Sequence, residues 1–384
     1  MPLVIAIIHF IAALGLTWLI NQIGLISWKR AAAAHWAERA RRLWPVRYTS
    51  GLTIFIVPVT INLWYQSFQS QTFPGWISGL LAGFAGGLLG NYPVAKTVYP
   101  QLDFKSWWRQ IIIFWGLRLT AIVPLGIAVG IMPEHFGRTT LLVAGGYLAV
   151  HVLLQWGLLF KFLRWMKCLR PAGQRLQSIL DASAASMGAK VQATWQLASP
   201  AANALAFPRT KQLVFTDRLL EICDDQEIAA ICAHELAHLL EPKTVLAVRI
   251  IGSFGFFPLI FLIPCVCSFG LAGFLPPYLT MFFMLFLVRR FSQRMEKRAD
   301  LLATGQQADH GVYARALEKL YQANQIPAVN VSNRQTHPHL YDRLLAAGIT
   351  PDFPRPAPPK RVTWIGWVML VLFGLGIFRA VAAG

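Results

Sequence analysis

Apolar runs long enough to cross a bilayer recur along this chain, and no other feature restricts its fold as much. They fall at roughly 3–26, 50–68, 74–92, 110–132, 139–160, 245–268, 271–288 and 362–382. A run of about 20 apolar residues crosses the hydrocarbon as a helix, because a helix satisfies its backbone donors and acceptors internally. Of the 384 residues, 55% are hydrophobic and only 14% charged, too few charges to solvate the surface of a soluble globule. The chain therefore reads as a mainly α, polytopic membrane protein of about eight spans. Met1-Pro2-Leu3 puts no basic residue ahead of the first run, so that run reads as an uncleaved anchor and not a signal peptide.

The net charge of +18 would suggest nucleic acid as a partner in a soluble protein, but its placement excludes that reading. Lys29, Arg30, Arg39, Arg41, Arg42 and Arg47 follow the first run; Lys96, Lys105 and Arg109 follow the third; Lys161, Arg164, Lys167 and Arg170 follow the fifth. Arg289 and Arg290 follow the seventh, and Lys360 with Arg361 precede the eighth. The intervening connections at 69–73, 133–138 and near Leu271 are almost free of base. Every second connection is basic, as the positive-inside rule requires, which puts the polar segments on the cytoplasmic side and suits anionic lipid headgroups.

Five spans are expected over 1–160, then a soluble piece at 161–243, a hairpin of two spans at 244–288, a second soluble piece at 289–361 and a closing span at 362–384. The two soluble pieces are expected to fold together. In the first of them, 175–187 reads as a helix, and Lys190–Leu197 and Lys211–Thr216 read as strands. The second strand, just ahead of the next helix, is a candidate free edge for an extended substrate backbone. Gly79, Gly83 and Gly87, with Gly86 and Gly90, give the third span small faces for close helix contact. Arg118 and His151 are ionisable groups at membrane depth and need a protein partner or a cavity. The five cysteines (Cys168, Cys223, Cys232, Cys265, Cys267) show no C-x-x-C pair and no disulfide framework.

Asp224-Asp225-Gln226-Glu227 has the form of a capping box and opens a helical pattern that carries His234-Glu235-Leu236-Ala237-His238. Residues four apart share a helix face, so both imidazoles reach one metal ion. Glu235 is then in position to take a proton from water at the open position of that metal, which suits zinc hydrolysis with one Zn2+ per chain. A hydrolytic zinc needs a third protein ligand. About sixty residues on, Glu296 and Asp300 share a face of a second helical pattern: Glu296 is the candidate ligand, and Asp300 the candidate hydrogen-bond partner of a ligand histidine. Glu241, three residues past His238, competes for the ligand role but fits the geometry poorly.

Four stretches then resemble the M48 family of membrane zinc metallopeptidases, with its HtpX-like and CAAX prenyl protease-like branches. They are Asn203-Ala204-Leu205-Ala206-Phe207, Ala233–His238, Glu296 with Ala299-Asp300, and Thr336-His337-Pro338 with Arg343. The resemblance covers about 175–350. It implies an α+β gluzincin-type zinc protease domain, with His234, His238 and Glu296 as ligands and Glu235 as general base. It further implies that His337 and Arg343 approach the substrate carbonyl and steady the developing oxyanion. Gln293 departs from the family, which usually has an arginine directly after the serine of the third-ligand helix.

The expectation is a membrane-embedded zinc endopeptidase that cleaves membrane-associated or misfolded polypeptides at the cytoplasmic face. Alternatives are a CAAX-type prenyl-protein protease, and a non-catalytic zinc-binding membrane scaffold or transporter, against which the intact Glu235 counts. A site-2-type intramembrane protease is disfavoured, because a helix opening with Asp224, Asp225 and Glu227 does not suit hydrocarbon. The expected location is a bacterial inner membrane, with the endoplasmic reticulum as the alternative.

Overall fold

The computed structural model describes residues 2–68, 73–154, 159–307, 311–331 and 339–383. The side chains at 2, 67–68, 73–74, 114–122, 159 and 380–383 lie outside that description. The chain divides into two compact units, one of Met1–Trp107, Tyr321–Asn333 and Pro338–Gly384, the other of Trp108–Leu320 and Arg334–His337.

The first unit is a helical bundle of α1 (Pro2–Lys29), α2 (Trp36–Phe68) and α3 (Phe73–Val98), to which the chain later adds α14 (Leu340–Ala346) and α15 (Trp364–Ala383). The glycines of α3 serve two neighbours. A Cβ at Gly86 would run into the Phe10 carbonyl oxygen of α1, and one at Gly90 would lie 2.8 Å from that of Leu14. Gly83 and Gly87 instead face Pro58 and Ile54 of α2. Without side chains in the way the backbones approach closely and gain contact between the helices. Polar groups join the same bundle: Asn21 donates to Asn91 at 2.8 Å, and Ser50 also donates to the Asn91 carbonyl. The closing helix is anchored where Thr363 N donates to Thr49 at 3.1 Å and Trp64 Nε1 to the Leu372 carbonyl at 3.2 Å.

The second unit holds α4 (Phe104–Gly130) beyond its first turn, α5 (Arg138–Leu153), α6 (Leu159–Trp165), a sheet and the helices around it. The strands are β1 (Leu169–Pro171), β2 (Ala193–Leu197), β3 (Ala204–Phe207) and β4 (Gln212–Thr216), in the order β1-β2-β4-β3. β2 and β4 run parallel; the other pairs are antiparallel. This corrects the expected free edge. Lys211–Thr216 falls on β4, an interior strand with Leu213, Val214 and Phe215 buried, and the edge strands are β1 and β3. The reason is the turn at 208–211, where Lys211 adopts φ +48° and folds β3 back along β4. α8 (Asp217–Ile222) and α9 (Asp225–Leu239) pack on the sheet, and α7 (Gln174–Met187) and the start of α13 (Val312–Ala323) pack on α9.

The expected hairpin is less regular than two spans. Its first arm breaks into α10 (Lys243–Ser253), a 3-10 turn (Phe257–Phe261) and α11 (Leu262–Phe269). Pro258 and Pro264 each remove a backbone donor there. Gly270, at φ +60° and ψ −148°, makes a reversal open only to glycine. The second arm is α12 (Leu275–Gly305), a single helix that runs from the apolar stretch into the segment with Glu296 and Asp300, so the boundary expected at 288 falls inside it.

By length and composition, three helical stretches among the described residues can cross a membrane: Leu3–Lys29, Trp36–Gln66 and Lys243–Gly305. Arg138–Leu153 and Trp364–Arg379 are apolar but shorter. His151 is buried against the Phe254 ring at 4.6 Å and hydrogen bonds the Ser253 backbone, so it has a protein partner; the Arg118 side chain lies outside the described residues. The α1–α3 contact gives a direct test. Gly86→Leu is expected to destabilise the detergent-solubilised protein by about 1–3 kcal/mol through overpacking. Gly15→Leu on open α1 surface, with nothing within 4 Å of its Cβ position, should leave the thermal midpoint unchanged.

Candidate metal centre

The helix that carries the histidines is secured before it reaches them. Asp224 accepts the Glu227 backbone N–H at 2.9 Å, and Glu227 accepts that of Asp224 at 3.0 Å, so two of the orphan donors at the start of α9 are satisfied reciprocally. Lys319 on α13 lies 2.7 Å from the buried Glu227 carboxylate. Beyond this cap α9 is buried almost all round. Its small residues Ala230 and Ala233 pack with Ala303, Val312 and Tyr313, and Ala237 and Ala299 are also buried. Alanine on both helices lets α12 lie close against α9. Arg298 reaches from α12 to the Ala237 and Leu240 carbonyls, each at 3.4 Å, and so meets the carbonyls left open at the end of α9.

That approach brings three donor groups together. His234 Nε2 and His238 Nε2 are 3.3 Å apart, and the Glu296 carboxylate oxygens lie 3.6 Å from each of them. All three donor atoms lie within 4.8 Å of one another. Two ligands at about 2.0–2.1 Å from a tetrahedral zinc are about 3.3–3.4 Å apart, so the imidazole pair already has the separation such an ion requires. The donor set also suits it: two imidazoles and one carboxylate are zinc chemistry with one position left open. The cysteines take no part. Cys232 is fully buried and burial pushes its thiol well up, and that of Cys223 up to about 12, so neither offers a thiolate.

Each histidine is held at its other nitrogen. His238 Nδ1 lies 2.8 Å from Glu241 Oε1, and Arg249 grips the same carboxylate with two hydrogen bonds of 2.7 Å. His234 Nδ1 lies 2.7 Å from the Tyr313 hydroxyl and 3.2 Å from Asp300 Oδ1, while that hydroxyl donates to Asp300 at 2.8 Å. With Nδ1 carrying the proton in both rings, both Nε2 lone pairs point at the centre. The charges follow the same logic. Burial opposes a charged His234 ring, but the Asp300 and Glu296 carboxylates outweigh it and hold the ring up at about 9 in the absence of metal. Burial raises the Glu235 carboxyl above its usual range, partly opposed by the neighbouring histidines and by the Ala206 backbone N–H of β3. Burial acts in the same direction on Glu241, but the His238 and Arg249 hydrogen bonds prevail and hold it low.

Of the residues singled out in the sequence, His234, Glu235, His238, Glu296 and Asp300 thus meet in one place. Glu241 touches the cluster through His238 Nδ1 and is not among the three donors that converge, whereas Glu296 is. His337 lies outside the described residues, and Arg343 is on α14 in the first unit. Sequence reasoning missed Tyr313, Arg298 and Arg249. Tyr313 had no local signal, being 79 residues from His234 in the chain. Arg249, eight residues past Glu241, belongs to what reads as the start of a span. Tyr313→Phe removes the hydroxyl between His234 and Asp300 and is expected to weaken zinc binding by about tenfold, read by competition with a chromophoric chelator.

Comparison with known sequences agrees with this geometry. No curated protein matches the chain. Residues 172–348 match the sequence model of peptidase family M48, a stretch that includes the β2–β4 strands, both histidines, Glu235, Glu296 and Asp300. The segment 172–348 is therefore a domain of peptidase family M48, a family of zinc-dependent metallopeptidases.

Proposed function

We propose that this protein is a membrane-embedded zinc endopeptidase that hydrolyses peptide bonds of membrane-associated or misfolded polypeptides at the cytoplasmic face. The observation that carries the reading is the triangle of His234, His238 and Glu296 with the buried Glu235 beside it. These three residues would hold the zinc, which when bound supplies a Lewis acid for the scissile carbonyl and lowers the pKa of water. Glu235 takes the proton from the attacking water and returns it to the leaving amine. Its burial suits both halves of that task, since a carboxyl raised toward neutrality is a better base and then a usable acid.

The free edge of β3 supports an extended substrate. Leu205 is exposed there, and the Ala206 backbone N–H is turned to Glu235, so a peptide added along this edge would run past the base. The resemblance assigns His337 and Arg343 to the oxyanion; that assignment rests on the motif alone. A substrate at the membrane is supported by α12. Glu296 follows Val288 by only about 12 Å of helix, so the metal would stand just beyond the apolar stretch. The alternation of basic connections supports about eight spans, a cytoplasmic domain and contact with anionic headgroups, and we assign the protein to a bacterial inner membrane.

The test uses the detergent-purified protein with casein or a quenched peptide. Glu235→Gln is expected to keep stoichiometric zinc and lose at least about a hundredfold in kcat/KM. Retained turnover in a clean preparation would sink the mechanism. Glu296→Ala should lose zinc affinity and activity together. Chelation should abolish cleavage in the wild type, and added Zn2+ should restore it.

A further inference from the structure

Glu241 is the second residue beyond α9, its side chain is 2% exposed, and both its oxygens are engaged. Oε1 accepts from His238 Nδ1 at 2.8 Å and from Arg249 Nη2 at 2.7 Å; Oε2 accepts from Arg249 Nε at 2.7 Å. The guanidinium comes from α10, the first helix of the apolar stretch that ends in α12. A carboxylate so deeply buried is costly unless its charge is paired and its lone pairs are used. It also stands three residues from His238 on the chain, near enough to compete for a metal. The two-pronged grip of Arg249 removes that freedom, because it takes both oxygens and keeps the carboxylate on the Nδ1 side of the ring.

We propose that Arg249 is a positioning residue for the metal centre: through Glu241 it holds His238 in the tautomer and orientation that offer Nε2 to zinc, and it keeps Glu241 from becoming a ligand. This rests on the reading above that His238 binds zinc. The role demands a fork and not merely a positive charge, since a lysine ammonium cannot bond both oxygens in plane. Arg249 thereby ties one ligand to α10, while α12 carries another, Glu296.

The experiment is Zn2+ competition with a chromophoric chelator on the full-length, metal-stripped protein in detergent, with the visible spectrum of the Co2+ form as second readout. Arg249→Met is expected to weaken Zn2+ about 10–100-fold and to alter the Co2+ bands, and Arg249→Lys to recover only part of the affinity. Arg249→Met leaves a buried carboxylate unpaired, so Glu241→Leu/Arg249→Met is the folding control, since it removes both charges together. Its affinity is expected to stay weak at an unchanged thermal midpoint of the metal-free form. Wild-type affinity in that double variant would reduce Arg249 to a structural counter-charge and overturn the proposal. Tight wild-type binding unaffected by Arg249→Met would overturn it too. A wild-type protein that takes up no Zn2+, or a His238→Ala variant that binds it as well, would instead sink the metal-centre reading itself, and this proposal with it.

Discussion

The close approach of α9 and α12 is the constraint on which the rest of this centre depends. Two helices meet at small separation only where neither presents bulk, and here Ala230 and Ala233 of α9 pack with Ala303 of α12, while Ala237 and Ala299 are buried. Everything chemical follows from that contact. It brings Glu296 within 3.6 Å of both imidazoles, sets Asp300 beside His234, and lets Arg298 reach the end of α9. A larger side chain at Ala230, Ala233 or Ala303 would press the two helices apart and with them the donors they carry.

Once those helices are packed, the difficulty becomes electrostatic. Glu235, Glu296 and Glu241 are all removed from water, and buried carboxylates are costly unless something positive or protic answers each one. Glu241 is answered by Arg249 and His238. Asp300 is answered by the Tyr313 hydroxyl and His234. Glu296 and Glu235 face the imidazoles, and in the absence of metal the His234 ring holds a proton up to about pH 9 to balance them. A divalent cation held by His234, His238 and Glu296 would supply the counter-charge in place of that proton. The burial that makes the site expensive also raises the proton affinity of Glu235.

The apolar segments are part of this arrangement and not simply an anchor. α12 is continuous from Leu275 to Gly305, so the helix that reads as a membrane arm at one end supplies Glu296 and Asp300 near the other. α10 opens the same apolar stretch and supplies Arg249. In the N-terminal bundle the packing problem is solved by glycine, with Gly86 and Gly90 turned to α1 and Gly83 and Gly87 to α2. Close backbone contact and the Asn21–Asn91 hydrogen bond join these helices.

What the sequence determined by itself was whatever a local period encodes. Apolar runs of spanning length, a capping box at 224–227, histidines four apart and a carboxylate pair four apart each follow from helix geometry over a few residues. Those signals put His234, Glu235, His238, Glu296 and Asp300 in view before any fold was known. Tertiary structure alone decided the remainder, because it depends on which surfaces meet. The 211–216 strand became interior because it pairs with β2 on one side and with β3, folded back by the 208–211 turn, on the other. The first arm of the hairpin broke where proline and glycine interrupted it. Tyr313 reached His234 from a separate helix, and Glu241 turned to His238 Nδ1 under the grip of an arginine in an apolar stretch. Spacing along a helix specifies which side chains share a face, but only packing between helices specifies what that face meets.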